Sequence, residues 1–188
     1  MLVLGFIQGA QGASWSEVTV KVVKQYINNG GDVNASAPEN TDYTVLHMAA
    51  TNQNPKVIEL LIEAGANVYA AGYDMDKNTP LSIASGENTN VTVIKAFISG
   101  GSNVESRDLE GWTPLHWAAF KNPNPSVIKA LIDAGANINA QNDDGETPLH
   151  LAVQENRNPS AARALTRAGA GEFIADEDGV TVYRLLNR

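Results

Sequence analysis

Two sets of landmarks recur along almost the whole chain at a nearly constant spacing. Threonines that begin a Thr-Pro-Leu-His element or a variant of it fall 35, 34, 34 and 34 residues apart. They are Thr44, Thr79, Thr113, Thr147 and Thr181. Glycines that follow an apolar stretch fall 35, 36, 34 and 34 residues apart. They are Gly30, Gly65, Gly101, Gly135 and Gly169. Two landmarks that keep step in this way indicate a tandem repeat, in which each unit packs only on its neighbours.

The residues within one unit predict a helix, a turn, a second helix and an extended finger. Thr113 is suited to cap a first helix that begins at Pro114, since proline lacks the amide hydrogen that would be unpaired there. The Asn-Pro pair at 124–125 predicts the start of the second helix by the same reasoning. Apolar residues at 127, 128, 131 and 132 then form one broad helical face. Gly135 is expected to end that helix in the left-handed conformation.

The full repeat pattern resembles a known family. The elements Gly-x-Thr-Pro-Leu-His-x-Ala-Ala, Val-Ile-x-x-Leu-Ile and Ala-Gly-Ala-Asn-Ile-Asn-Ala of residues 111–140 are similar to ankyrin repeats. The resemblance implies an all-α fold, a solenoid of stacked helix-turn-helix units with extended hairpin fingers. The family's usual period is shorter by one residue, and the Asn-Pro loop that holds the extra residue is similar to a variant of bacterial ankyrin proteins.

One repeat domain is expected to span residues 1–188. Its predicted parts are an N-terminal capping unit at 1–36, repeats at 37–72, 73–106, 107–140 and 141–174, and a partial C-terminal capping unit at 175–188. In the first unit, a degenerate helix around 4–11 and a second helix from about 16 to 28 are expected, with Trp15 in the core. In the last unit, Arg184 and Arg188 are expected to give the outer side a polar character.

Composition excludes several classes of function. The net charge of −8 and the pI near 4.8 disfavour a nucleic-acid partner, because such binding depends on many Lys and Arg contacts with phosphates. The chain has no cysteine, and no apolar run approaches the roughly 20 residues that span a bilayer.

The apolar residues 2–7 fit either a capping helix or part of a signal peptide. A cytoplasmic location is the default, and a secreted or periplasmic one follows if a signal peptide lies upstream.

The sequence predicts no catalytic residue, no metal site and no cofactor. The histidines, His47, His116 and His150, all occupy the fourth place of the Thr-Pro-Leu-His element. At this place the ankyrin resemblance implies hydrogen bonds that brace the turn. Residues 74–78 begin like a calcium loop, but Thr79 stands where that loop needs a glycine. Neither a phosphate-binding loop nor a nucleophile elbow is present in the sequence.

The resemblance places the expected binding surface on the first helices and the finger tips, which together form the concave face of the solenoid. By motif position the candidate partner-binding residues are Tyr43, Met48, Tyr73, Met75, Arg107, Leu109, Trp112, Trp117, Asp143, Asp144, Glu146 and Leu151, with Asn78 and Ile83 also facing that side. Trp112 and Trp117 are the leading anchors, because tryptophan often dominates interface energies. The alternative is that both rings only cover the first helix and the neighbouring finger.

Acidic residues concentrate on the fingers and basic residues on the second helices, which predicts a partner with a basic surface. The alternative is that aspartate is common there as a turn residue. The expected function is that of a monomeric, non-catalytic protein-protein interaction module. Two alternatives stay open. One is an accessory or regulatory domain of an enzyme whose catalytic part lies elsewhere. The other is a self-assembling array that uses the apolar edge at residues 2–6.

Overall fold

The computed structural model of the chain describes residues 15–36, 43–72, 77–154 and 158–187. Within these ranges ten α-helices follow a short 3-10 turn at Trp15–Glu17. They are α1 (Val20–Asn28), α2 (Val45–Ala49), α3 (Pro55–Glu63), α4 (Pro80–Glu87), α5 (Val91–Ser99), α6 (Pro114–Lys121), α7 (Pro125–Asp133), α8 (Pro148–Val153), α9 (Pro159–Arg167) and α10 (Val182–Leu186). Backbone pairing outside the helices includes isolated antiparallel bridges from Ser36 to Thr44 and from Ala175 to Thr181.

The helices form two layers. The first helices of successive units, α2, α4, α6, α8 and α10, contact one another in that order, and the second helices, α1, α3, α5, α7 and α9, do the same. One continuous apolar core lies between the layers, with Leu81, Leu115 and Leu149 from the first helices and Ile94 and Ile128 from the second, each at most 1% exposed. The predicted all-α solenoid is confirmed.

The predicted helix starts agree with the structure. Thr113 is the N-cap of α6, and Pro114 is its first residue. The side chains of Asn54 and Asn124 cap α3 and α7 by accepting a hydrogen bond from the backbone N–H two residues on, at 3.0 Å in both cases. Asn90 caps α5 in the same way although no proline follows it. An asparagine at the N-cap therefore suffices to begin a second helix.

The first described unit differs from its prediction. The helix expected from residue 16 begins only at Val20, because Thr19 is extended (φ −94°, ψ 156°) and serves as the N-cap. Trp15 is half-buried and packs against the core, as expected for a capping unit. The helix expected around 4–11 lies outside the described residues.

The last described unit is less polar on its outer side than predicted. Arg184 is exposed on α10, whereas Arg188 lies outside the described residues. Tyr183 and Leu186 of this unit are also exposed, at 50% and 60%, and Phe173, at the end of the preceding repeat, is 75% exposed. Val182 is the residue of α10 that enters the core, so most of this one-turn helix faces outward. The prediction of a polar end was therefore incomplete, because it considered the two arginines alone.

A row of buried asparagines joins successive units at the loop between their two helices. Asn52, Asn88, Asn122 and Asn158 are at most 7% exposed. The Nδ2 of Asn88 donates to the carbonyl oxygens of Ala50 and Asn52, at 2.9 and 2.8 Å. Each of these side chains spans two units, because its donor bonds reach the backbone of the unit before it. The loop between the two helices of a unit is therefore a structural link between repeats as well as the place where the second helix begins.

The glycine after α7 offers a test of backbone strain without steric clash. Gly135 has φ +96°, and a Cβ added to it would meet no atom within 4 Å. Gly135→Ala should lower the free energy of unfolding by about 1 kcal/mol, because a side chain disfavours the left-handed region. Gly135→Asn should cost less, since asparagine tolerates that region better. Urea denaturation followed by tryptophan fluorescence measures both, and a larger loss for asparagine than for alanine would contradict this explanation.

Candidate functional site

The three histidines brace the fingers. The Nδ1 of His116 accepts a hydrogen bond from the backbone N–H of Thr113 at 3.0 Å. Because a backbone N–H can only donate, Nδ1 is unprotonated, and Nε2 carries the hydrogen that it donates to the carbonyl oxygen of Glu146 at 3.1 Å. His47 and His150 make the same pair of contacts, to the carbonyls of Asn78 and Val180. These imidazoles are buried hydrogen-bond bridges between units.

Burial also changes the acid-base behaviour of His116. It lowers the pKa of this imidazole to about 4, because desolvation penalises the charged form, and the positive charge of Arg107 contributes in the same direction. A histidine with so low a pKa stays neutral near pH 7. The neutral state is the one that the two hydrogen bonds of His116 require.

Two concavities open on the side of the first helices. The first, of about 310 Å³, lies across α2, α4 and α6, and the second, of about 720 Å³, lies across α6, α8 and α10. The first concavity is lined by Tyr43, His47, Met48, Thr51, Asn78, Ser82, Ile83, Glu87, Trp117 and Lys121. The second concavity is lined by Trp112, Phe120, Glu146, Leu151, Val153, Gln154, Asp176, Asp178, Val180 and Leu185. Each concavity therefore contains one of the two tryptophans that were predicted as anchors.

Trp112 and Trp117 form an aromatic ridge between the two concavities. Their ring centroids are 4.8 Å apart, and the rings of Trp112 and Phe120 form a T-shaped pair with centroids 5.3 Å apart. Both tryptophans are half-buried. Lys121 lies over the ring of Trp117, with its Nζ 5.2 Å from the centroid. Contacts among these aromatic rings hold the ridge in place, and one concavity lies on each side of it.

Asp108 fixes the finger and the ridge together, a role that the sequence analysis missed. Its Oδ1 accepts from the backbone N–H groups of Glu110 and Trp112, at 3.0 and 2.8 Å. Its Oδ2 accepts from the indole Nε1 of Trp117 at 2.9 Å. An aspartate that accepts from the N–H groups two and four residues on is a common turn signal, but the contact with Trp117 has no local sequence signal.

The other predicted helix residues lie at the two concavities with different exposures. Tyr43 stacks on His47, with ring centroids 5.0 Å apart, and Met48 is half-buried beside them. Glu146 borders the second concavity, where its carboxylate accepts from Asn142 at 3.1 Å and from Gln154. Leu151 is only 3% exposed, so it forms part of the wall and offers little contact area.

The predicted finger residues are divided between exposed and bonded side chains. Leu109 is 51% exposed. The guanidinium of Arg107 is hydrogen-bonded within the fold, because its Nη1 donates to the carbonyls of Gly111 and Gln141 at 3.0 and 2.8 Å. Asp143 and Asp144 are exposed, and their backbones pair with the adjacent fingers. Tyr73 and Met75 lie outside the described residues.

The two concavities differ in charge. The second is lined by Glu146, Asp176 and Asp178 and by no lysine or arginine, and no ion pair of the described residues involves these carboxylates. In the first, Glu87 is paired with Lys121 at 3.0 Å. The second concavity therefore carries negative charge that no ion pair neutralises, whereas in the first the charge of Lys121 neutralises that of Glu87.

Within residues 15–36, 43–72, 77–154 and 158–187, no group of three or more metal-ligating side chains is close enough to hold an ion. No helix in those ranges has both the length and the apolar character needed to cross a membrane.

Comparisons with known proteins agree with the repeat architecture. A family model described as ankyrin repeats (3 copies) matches residues 12–95 and 81–178. The chain is also similar to Palmitoyltransferase Hip14 of Drosophila melanogaster, with 32% identity over 89 residues. That match covers 47% of this chain and 13% of the fly protein, so it involves a small part of the relative.

Proposed function

The chain belongs to the ankyrin repeat family, and we propose that it is a non-catalytic module that binds a partner protein through its concave face. Ankyrin repeats are in general protein-protein interaction modules, since contacts between neighbouring units maintain the fold and leave the face free to vary. The fold alone does not specify the partner, so the proposal depends on the surface chemistry.

The main support for partner binding is the aromatic ridge. Trp112 and Trp117 lie side by side, are only half-buried, and each borders a concavity. Tryptophans in such positions are typical energetic centres of interfaces. The bond from Trp117 to Asp108 orients this indole before a partner arrives, so less conformational freedom is lost on binding.

The partner is expected to present a basic surface next to the ridge. The carboxylates of Glu146, Asp176 and Asp178 are in no ion pair of the described residues. They border a concavity that is also lined by Trp112 and Val180. Lysine and arginine side chains combine an apolar stem with a positive head, and they suit such a surface. Association should be faster at low salt, because screening weakens attraction between exposed charges.

A second candidate is an accessory domain of an enzyme whose catalytic part lies elsewhere. The observation that favours it is the match to a small part of a protein named as a palmitoyltransferase. An antibody against this chain, applied to an extract of the native host, distinguishes the two. A band near 20.0 kDa would favour the separate module, and a much larger product would favour the accessory domain.

The proposed module predicts a partner that depends on the ridge. The chain and a folded Trp112→Ala/Trp117→Ala variant are compared by affinity capture from the host extract with mass spectrometry, followed by titration of the captured protein. Loss of both rings should weaken binding by at least about 30-fold, the equivalent of about 2 kcal/mol.

The matched control is Phe173→Ala, which removes an aromatic side chain that is 75% exposed and lines neither concavity. It should retain the same partner as the unmodified chain. Capture of one set of proteins by all three forms, or of none, would remove the residue-level basis of the proposal.

A further inference from the structure

Asn78 has a buried side-chain oxygen that makes no hydrogen bond within the fold. It directly precedes Thr79, the N-cap of α4, and is 6% exposed. Its backbone oxygen accepts from Nε2 of His47 at 3.0 Å, but its side-chain Oδ1 has no hydrogen-bond partner. A buried amide oxygen that has lost water and gained no partner is unfavourable, and such groups are rare in native proteins.

The equivalent positions of the other units do not require an amide. The residues that directly precede the N-cap threonine are Tyr43, Trp112, Glu146 and Val180. They include an aromatic, a carboxylate and an aliphatic side chain, so the solenoid accommodates varied chemistry there. Glu146 has hydrogen-bond partners for its side chain, in contrast to Asn78. The amide of Asn78 is therefore not explained by the repeat architecture.

Asn78 belongs to the lining of the first concavity, which is partly apolar and partly polar. Tyr43, Met48, Ile83 and Trp117 line the same concavity. The volume of about 310 Å³ is at the small end of the range of about 300–1,000 Å³ for ligand sites, which suits one large side chain. Ser82, another polar side chain of the lining, is already bonded to Thr79, with the two hydroxyl oxygens 3.0 Å apart.

The charge at the rim of this concavity is balanced. Glu87 and Lys121 are 3.0 Å apart, and Lys121 also covers the ring of Trp117. A charged side chain that entered would lose hydration and find no unpaired opposite charge. The first concavity therefore favours a neutral occupant, in contrast to the second.

We infer that the first concavity binds one tyrosine side chain of the partner, with the phenol hydroxyl bonded to the amide of Asn78. This inference rests on the proposed function. A phenol hydroxyl both donates and accepts, so it can satisfy the oxygen or the nitrogen of an amide. The tyrosine ring would pack against Tyr43, Met48 and Trp117. A phenylalanine would fill the same space but leave the amide unpaired, which is a strong basis for discrimination.

The test titrates the full chain, labelled with ¹⁵N, with N-acetyl-tyrosine amide and N-acetyl-phenylalanine amide, two probes that differ only by the hydroxyl. The tyrosine probe should shift the side-chain NH₂ signals of Asn78 and the indole signal of Trp117. It should also bind about tenfold more tightly than the phenylalanine probe, as expected for one buried hydrogen bond. Equal affinity for both probes, or no shift of these signals, would overturn the inference.

The variant Asn78→Leu separates binding from folding. Because the Asn78 side-chain oxygen makes no hydrogen bond within the fold, the variant should unfold at a temperature no lower than that of the unmodified chain. It should lose the preference for the tyrosine probe. The matched control is Asn103→Leu, an exposed asparagine outside this concavity, which should retain the preference. A less stable Asn78→Leu would show that the amide is structural, and the inference would fail.

A third probe and the partner experiment separate the remaining outcomes. If n-butylammonium shifts the same signals at lower concentration than the tyrosine probe, the concavity is a cation site and the inference is wrong. If the tyrosine probe does not bind but the ridge variant still loses a captured partner, only this inference fails. If the probe binds and no partner is captured, the tyrosine site stands and the proposed function fails.

Discussion

Replacing Asn122 by alanine should lower the free energy of unfolding by about 4 kcal/mol, far more than a typical polar substitution. Asn122 is 1% exposed, and its Nδ2 donates to the carbonyls of Ser85 and Asn88 at 2.7 and 2.9 Å. Its Oδ1 accepts from the backbone N–H of Asn124 at 2.9 Å. Alanine would leave these three backbone groups without their partner, and the bonds to the two carbonyls lie in a buried site.

The loss should also change how the array unfolds. Asn122 joins the unit of α6 and α7 to the unit of α4 and α5, and solenoid stability depends on such contacts between neighbours. With this link removed, the parts on either side should unfold in separate transitions. Guanidinium denaturation followed by circular dichroism measures both the free energy and the number of transitions.

Asn103→Ala is the control for this prediction. Asn103 is exposed, and its Oδ1 accepts from the backbone N–H of Glu105 at 2.9 Å. A single bond at the surface should contribute about 1 kcal/mol or less. If Asn122→Ala were no less stable than Asn103→Ala, the buried asparagine row would not be the link that the geometry indicates.

Mild acid should destabilise the chain through His116. Its pKa is about 4 in the folded state and 6.5 in the unfolded chain, so the unfolded state takes up the proton first as the pH falls. The contribution is fully present above pH 6.5 and is lost between pH 6.5 and 4, for a total of roughly 3 kcal/mol. The main cause is the desolvation of the charged imidazole on burial, and a protonated Nδ1 can also no longer accept from the N–H of Thr113.

The measurement is the free energy of unfolding at pH values between 7 and 5, where most carboxylates stay charged. The chain should lose up to about 1.4 kcal/mol per pH unit through this histidine. In His116→Gln the overall stability should be lower, but its dependence on pH should be weaker by that amount. An identical pH dependence in the two proteins would rule out His116 as the acid-sensitive group.

The sequence was sufficient for the fold because the signals that define each unit are local. A threonine or asparagine N-cap, a proline at the first helical position and a glycine after the second helix act within a few residues. For this reason the sequence predicts the N-caps Thr113 and Asn124 and the left-handed Gly135 as the structure has them. The late start of α1 at Val20 was missed, because nothing in the sequence favoured Thr19 over Ser16 as the N-cap.

The candidate site was predicted only in outline. The repeat pattern assigned Tyr43, Met48 and both tryptophans to one face, and the structure has all four beside the two concavities. It did not reveal that Leu151 is buried or that Arg107 is bonded to two fingers. The pattern identifies which face a residue occupies, but not how much of its side chain remains exposed.

By itself, then, the sequence determined the period, most helix starts and the residue types on each face, since these depend on neighbours along the chain. Only the tertiary structure revealed that Asn122 joins two units, that Asp108 orients Trp117 and that Asn78 has an unpaired amide. The bonds of Asn122 reach residues 34 and 37 positions away in the chain. Whether such a polar atom finds a partner depends on the distance between stacked units, and that distance exists only after the repeats have packed together.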